Sequence, residues 1–398
     1  MTSLILKLII IFMESEYSSV NIPESKLLLD IINQRQPLRF ENIEIDKFIE
    51  LLEVHNITPL VFYRLSRLTG SRFAGKNYAQ QIPEDIYSDL KSKYLANIYI
   101  NIKFWKEFLK INEVFKQNNV SLLPLKGVDI LVRFYPAFDL RSMVDIDILI
   151  KEERFARAEK ILSGLGYQKK LHGLREEYWR KKQCHIAFYK ERTMVEIHWG
   201  LDFKRGNRII LPHLWERTKD VEAGNHKISI FSPEDALFSF ALHWRHYGNI
   251  LSLKQVLDVA RIIKESPGFN WDYVLEESRQ GRMNAAIYFI LMQTCLFTET
   301  NIPEDIFKKI KIPFWQKTLI KKFLLKHTFE TQPSIKKNYL KAHFLLYDNV
   351  FEPIFYLINI PYEQFCKFYY LKPYTKKTDL LYRLRIPYIA MSLFSKRN

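Results

Sequence analysis

Apolar positions recur at helical intervals through residues 24–70. In "IDKFIELLEVHNITPLVFYRLSRLTG", Phe48, Leu51 and Leu52, then Leu60, Phe62 and Leu65, fall at helical spacing, and Gly70 offers a C-cap. A polar stretch follows, to about residue 90. "YLANIYINIKFWKEFLKINEVFKQNN" then predicts a long amphipathic helix ending at Asn118-Asn119. Near residue 120 the period changes. "VSLLPLKG" is strand-like, "VDILVRFY" helical and "VDIDILI" a strand, while "KEERFARAEKILSGLG" reads as a helix closed by Gly164 or Gly166. "HIAFYK" and "TMVEIHWGL" are two more strands joined at "ERT". Residues 120–200 thus predict the order β, α, β, α, β, β.

From "SPEDALFSFALHW" onward the pattern is helical, with Ser232 as N-cap and Pro233 at the first helical position. The helices are punctuated at Pro303, Pro313, Pro333, Pro353, Pro361, Pro373 and Pro387. These elements predict an α+β protein, with a small mixed-sheet domain between helical segments. The expected division is 13–95 (N-terminal helical segment), 96–230 (sheet domain) and 231–398 (helical, basic region). Residues 1–12 are apolar but short, interrupted by Lys7 and without a small-residue cleavage site. We expect translation to start at Met13, with a short membrane-associated tail as the alternative.

Within "RSMVDIDILI" two carboxylates lie one residue apart. Strand alternation places Val144, Ile146, Ile148 and Ile150 on one face, and Asp145 and Asp147 together on the other. Like charges that close repel unless a cation or a shared proton lies between them. A Mg²⁺ ion, which takes one or two carboxylates plus waters and substrate phosphates, resolves the repulsion; a solvent-facing edge strand is the alternative. In "TMVEIHWGL", Val195 and Ile197 form the apolar face, so Glu196 faces away from it and supplies a third carboxylate if the two strands are adjacent. A surface role for Glu196 is the other reading. His198 shares that face, either adjusting the site or packed as an ordinary core histidine. Lys126-Gly127 precedes a helix. Gly127 lets the backbone approach a triphosphate, the helix N-terminus favours anionic oxygens, and Lys126 and Arg141 can neutralise phosphate charge.

These residues carry a resemblance. "LPLKGVDILVRFYPAFDLRSMVDIDILI", "AEKILSGLGY" and "VEIHWGL" resemble the corresponding runs of the DNA polymerase β-like nucleotidyltransferase superfamily, and specifically a bacterial group of uncharacterised nucleotidyltransferases. The resemblance covers about residues 45–265. It implies a polymerase β-like fold, with Asp145 and Asp147 as metal ligands, Glu196 as the third acidic residue and Gly127 at the nucleotide phosphates. The implied cofactor is Mg²⁺, with Mn²⁺ as a substitute, and the implied substrate is an NTP. By the same resemblance, Asp258 in "SLKQVLDVARII" faces the cleft, the alternative being surface exposure. Val144 stands where the family has a small residue, and Ser142 where Pro is frequent.

Other signals are weaker. His243 and His246 in "HWRH" lie on one helix face and can in principle share a metal, but no HExxH accompanies them, and a core or phosphate-facing role is preferred. "GSRFAGKN" at 70–77 nearly spells a P-loop but has Asn77 at the Mg²⁺-binding position and follows a helix, so it reads as a loop.

Charge and cysteine usage modify this picture slightly. The 398 residues carry a net charge of +16. Residues 311–398 hold 16 Lys/Arg against 5 Asp/Glu, a net +11. Such a field attracts polyanions such as tRNA, although a solvated face needs no partner. The three cysteines, Cys184, Cys295 and Cys366, are far apart and show no CxxC. That excludes a disulfide framework and a Cys-rich zinc site, and it fits a reducing cytoplasm. No segment reaches the length of a membrane span.

The expected activity is Mg²⁺-dependent transfer of an NMP from an NTP to a hydroxyl acceptor, tRNA or a small molecule. A toxin-like enzyme acting on tRNA or protein, and a non-catalytic polyanion-binding scaffold, are the alternatives.

Overall fold

The computed structural model describes residues 21–68, 82–202, 214–247, 252–329, 335–349 and 351–394. The apolar N-terminal stretch, Gly70 and the P-loop-like run at 70–77 lie outside them.

Three helices open the fold: α1 (Pro23–Ile32), α2 (Ile45–Val54) and α3 (Thr58–Leu68). The predicted apolar set is their buried face, since Phe48, Leu51, Leu52, Leu60, Phe62 and Leu65 all lie in the core. The long helix α4 spans Glu84–Gln117 and buries Phe104, Phe108, Ile111 and Phe115 at spacings of three and four. The division expected at residue 95 falls inside this helix, so α4 serves the segments on both sides.

Strand β1 (Leu122–Pro124) leads into helix α5 (Lys126–Phe134), strand β2 (Ile146–Ile150) and helix α6 (Phe155–Gly164). Two short elements that hydrophobic patterning did not predict come next: strand β3 (Gln168–Lys170) and helix α7 (Glu176–Lys182). β3 reads "QKK" and is largely exposed, so it has no apolar periodicity to reveal it. β4 (His185–Lys190) and β5 (Thr193–His198) form the expected hairpin. A second hairpin, β6 (Lys219–Ala223) and β7 (His226–Ile230), stands as a separate two-stranded sheet.

The five-stranded sheet has the order β1-β2-β5-β4-β3. β2 and β5 are parallel and the other neighbours antiparallel, so the sheet is mixed and the protein α+β. Ile146, Ile148, Ile186, Phe188, Val195 and Ile197 are all fully buried and, by alternation and register, make up its apolar face. Val144 departs from expectation. It precedes the strand and is 63% exposed, so the apolar row begins at Ile146.

Helix α5 packs on β1 and β2 and contacts α8 (Pro233–Tyr247) and α9 (Leu253–Lys264). The Ser232 hydroxyl accepts the Asp235 backbone N–H at 3.1 Å, the predicted N-cap of α8. Helices α10 (Trp271–Gln280) and α11 (Asn284–Phe297) follow. Pro303, Pro313 and Pro361 each sit at the N-cap of a later helix, so these prolines start helices as well as separating them. The main core extends from Leu27 to Leu346, whereas Ile360, Phe365 and Ile389 form a second small core of their own. The C-terminal helices from Phe351 onward therefore pack partly among themselves. Among the described residues, no helix is long and apolar enough to cross a membrane.

Candidate active site

Parallel pairing of β2 with β5 sets the centre of the site. The register places Asp147 beside Glu196 and Leu149 beside His198. The β4–β5 hairpin turns in two residues and places His185 opposite His198. Asp147, Glu196, His198 and His185 therefore share the face opposite the apolar one. A cleft of about 270 Å³ opens there, lined by Asn56, Lys126, Asp145, Glu196, His198 and His243 among others. Asp147 lies beneath it, almost wholly buried.

Two cations balance the three carboxylates. Lys126 Nζ is 3.4 Å from Asp147 Oδ2. His198 Nε2 is 2.9 Å from Asp147 Oδ1 and 3.3 Å from Glu196 Oε2. Burial and the neighbouring Asp147 push the Asp145 carboxyl up to about 7. For Asp147, burial works against ionisation, but Lys126 and His198 outweigh it and lower its pKa. Burial opposes ionisation of Glu196 too, and there His198 and His185 overcome it, so this carboxyl is also lowered. Burial by itself would lower His198, but its contacts with the acids hold it well above its ordinary value. Burial outweighs the pull of Glu196 and brings His185 down to about 4, and it outweighs that of Asp147 to hold His243 well below the usual range. Lys126 adopts φ +43°, an uncommon left-handed conformation for a non-glycine residue, at the first turn of α5. That conformation turns the chain sharply from β1 into α5 beside Asp147.

The segment ahead of Asp145 is held from three sides. Asn101 Nδ2 of α4 donates to the Phe138 and Arg141 carbonyls, both at 2.6 Å. The Ser142 hydroxyl donates to the Asn56 carbonyl at 2.9 Å. Arg141 donates through Nε to Asp258 Oδ1 at 2.8 Å and through its terminal nitrogen to Oδ2 at 2.9 Å, and the Tyr135 hydroxyl donates to Oδ1 at 3.0 Å. Two sequence expectations change here. Arg141 is buried and its fork is occupied by Asp258, so it is a brace for the loop rather than a phosphate clamp. Asp258 is fully buried in the same pair, neither on the surface nor in the cleft lining. Gly127 is buried in the first turn of α5, and a Cβ there would stand 3.4 Å from Met143 Sδ and 3.5 Å from an Arg141 nitrogen, ordinary van der Waals distances. His246 lies in α8, but its side chain is outside the described residues.

Sequence reasoning missed Lys254, His185 and Asn56. Lys254 lines the cleft, one helical turn before Asp258, and burial with Arg141 nearby lowers it to about 8. Its i, i+4 spacing from Asp258 puts the two on one face of α9. His185 follows from hairpin arithmetic, since pairing Lys190 with Thr193 fixes His185 against His198. Asn56 comes from the distant α2–α3 connection, and nothing in the local sequence marks it.

Convergent carboxylates beside two lysines at one end of a mixed sheet are suited to holding a cation and an anionic substrate together. The nucleotidyltransferase family described as "Uncharacterised nucleotidyltransferase" matches residues 41–298, and the chain belongs to that family. The crystal structure of the lincosamide antibiotic adenylyltransferase LnuA, lincomycin-bound, is similar at 18% identity and a TM-score of 0.30, over 40% of this chain and 97% of that one. A likeness that weak bears on neither substrate nor site. No functionally curated protein matches the chain.

Proposed function

We propose that the chain transfers an NMP from an NTP to a hydroxyl acceptor, with a divalent cation, Mg²⁺ or in its place Mn²⁺, as cofactor. The observation that carries this reading is the side-by-side register of Asp147 and Glu196 on parallel strands, with Asp145 and Lys126 at the same cleft, in a chain of a nucleotidyltransferase family.

The oxygen-rich donor set of Asp145, Asp147 and Glu196 fits a hard cation. Lys126 beside Asp147 shows that the pocket already accommodates positive charge. When bound, the cation lowers the pKa of an attacking hydroxyl and offsets charge building on the phosphate oxygens. Lys126 and Lys254, which line the cleft, would take the triphosphate oxygens. His198 fixes Asp147 and Glu196 through Nε2, so both carboxylates are oriented before substrate arrives. The acceptor hydroxyl gives its proton to water, its oxygen bonds to the α-phosphorus while the bond from that phosphorus to the bridging oxygen breaks, and pyrophosphate leaves with the electron pair.

A polyanionic acceptor such as tRNA is supported by contacts between the basic C-terminal region and the site side. Gln364 accepts from Gln183 at 3.1 Å and from the Tyr178 hydroxyl, which places Lys367 within electrostatic reach of Glu196. Incubation with each α-labelled NTP, Mg²⁺ and cell extract tests the reading, with Asp147→Asn alongside. Label should pass to an acceptor only with the unaltered chain. Equal transfer by the variant would sink the mechanism, and Mg²⁺-independent polyanion binding without transfer would favour a scaffold.

A further inference from the structure

We propose that Cys184, His185 and His198 form a site for a borderline-soft divalent cation, Zn²⁺ above all, behind the carboxylate centre. The three side chains are buried, and their ligand atoms all lie within 4.8 Å of one another. Cys184 Sγ is 3.7 Å from His185 Nδ1. A tetrahedral zinc with arms of ~2.3 Å to sulfur and ~2.0 Å to nitrogen separates two such atoms by about 3.6 Å. The two imidazoles stack with centroids 4.9 Å apart and planes inclined by 29°, so one ring must turn about its Cβ–Cγ bond for both in-plane lone pairs to meet one ion.

A carboxylate sets which nitrogen serves in His198, and the thiol sets it in His185, whose Nδ1 is the atom facing Cys184. His198 Nε2 is turned to Asp147 at 2.9 Å, and His185 Nε2 lies 3.9 Å from Glu196. Each ring therefore turns Nδ1 away from the acids, and zinc replaces the Nδ1 proton of the cationic His198 and the thiol proton of Cys184, both released to water. A histidine that ligates through one nitrogen and meets a carboxylate with the other is the usual outer-shell arrangement of zinc sites. One thiolate and two imidazoles are poor ligands for Mg²⁺ and good ones for zinc, so the two centres select different ions. With three protein ligands, the fourth position remains for water. Because His198 serves both centres, occupancy of the sulfur site fixes the ring that orients Asp147 and Glu196. Micromolar Zn²⁺ should thereby alter the affinity of the carboxylate centre for Mg²⁺.

Zinc binding at these residues does not depend on nucleotidyl transfer, and its test needs no nucleotide. The full chain, reduced and metal-free, is titrated with Co²⁺ in the presence of excess Mg²⁺ and followed by absorption. A thiolate-to-cobalt band in the near ultraviolet with visible ligand-field bands should saturate at one equivalent and be displaced by Zn²⁺. Cys184→Ser should abolish the band, while Cys295→Ser should retain it. His185→Gln, confirmed as folded by circular dichroism, should weaken Co²⁺ binding by on the order of tenfold or more. A folded unaltered protein that shows no band, or a band that survives Cys184→Ser, overturns the proposal.

Discussion

Asp258→Ala removes the carboxylate that braces the loop ahead of Asp145, and its cost follows from the bonds that carboxylate accepts. Both oxygens of Asp258 are engaged, by Arg141 at 2.8 and 2.9 Å and by the Tyr135 hydroxyl at 3.0 Å. Arg141 is 5% exposed and Asp258 is 0% exposed, so water cannot replace the missing partner. Three bonds to the charged carboxylate at roughly 1.5–3 kcal/mol each bound the loss from above. Breaking a buried pair while leaving its other charge behind costs about 3–5 kcal/mol, a large share of the ~5–15 kcal/mol that holds a typical fold. Urea unfolding followed by tryptophan fluorescence should show this as a lower midpoint with an unchanged slope. The double variant Arg141→Met with Asp258→Leu removes both charges and should recover most of the loss. A cost below about 1 kcal/mol for Asp258→Ala, or a double variant no more stable than the single one, would refute the brace.

The raised Asp145 carboxyl means that, without metal, the folded chain keeps a proton that the unfolded chain loses at an ordinary carboxylate pKa. The contribution of Asp145 to stability should therefore fall as pH rises from about 4 to about 7, and Asp145→Asn should flatten that slope in pH-resolved unfolding. Lys126→Met leaves Asp147 with His198 as its remaining close cation. If Lys126 also meets the triphosphate in the transition state, transfer should drop by roughly 10²–10³-fold, read as kcat/KM for the NTP. Glu196→Gln keeps the shape but removes a charge, so His198 should titrate at lower pH in NMR spectra, with the sign set by the carboxylate that now raises it.

The sequence made the pair of aspartates and the third carboxylate legible for one reason: strand alternation is local, and both strands carry a clean apolar row against which a charge stands out. The same rule misplaced Val144, because alternation does not say where a strand begins. Ile146 is the first residue to pair with β5, and the backbone ahead of it follows its bonds to Asn101, Asn56 and Asp258 instead. Arg141 shows the complementary failure. A basic residue near a carboxylate site has the charge of a phosphate clamp, and only the fold reveals that a buried aspartate 117 residues away already occupies it. The two corrections share a cause. Asp145 and Asp147 look equivalent in sequence, yet Asp147 is fixed by sheet pairing while Asp145 depends on a loop whose anchors lie on α4, the α2–α3 connection and α9. Substitutions in those anchors should therefore affect Asp145 before Asp147, so the geometry of the carboxylate pair can fail without any change in the strand that carries it.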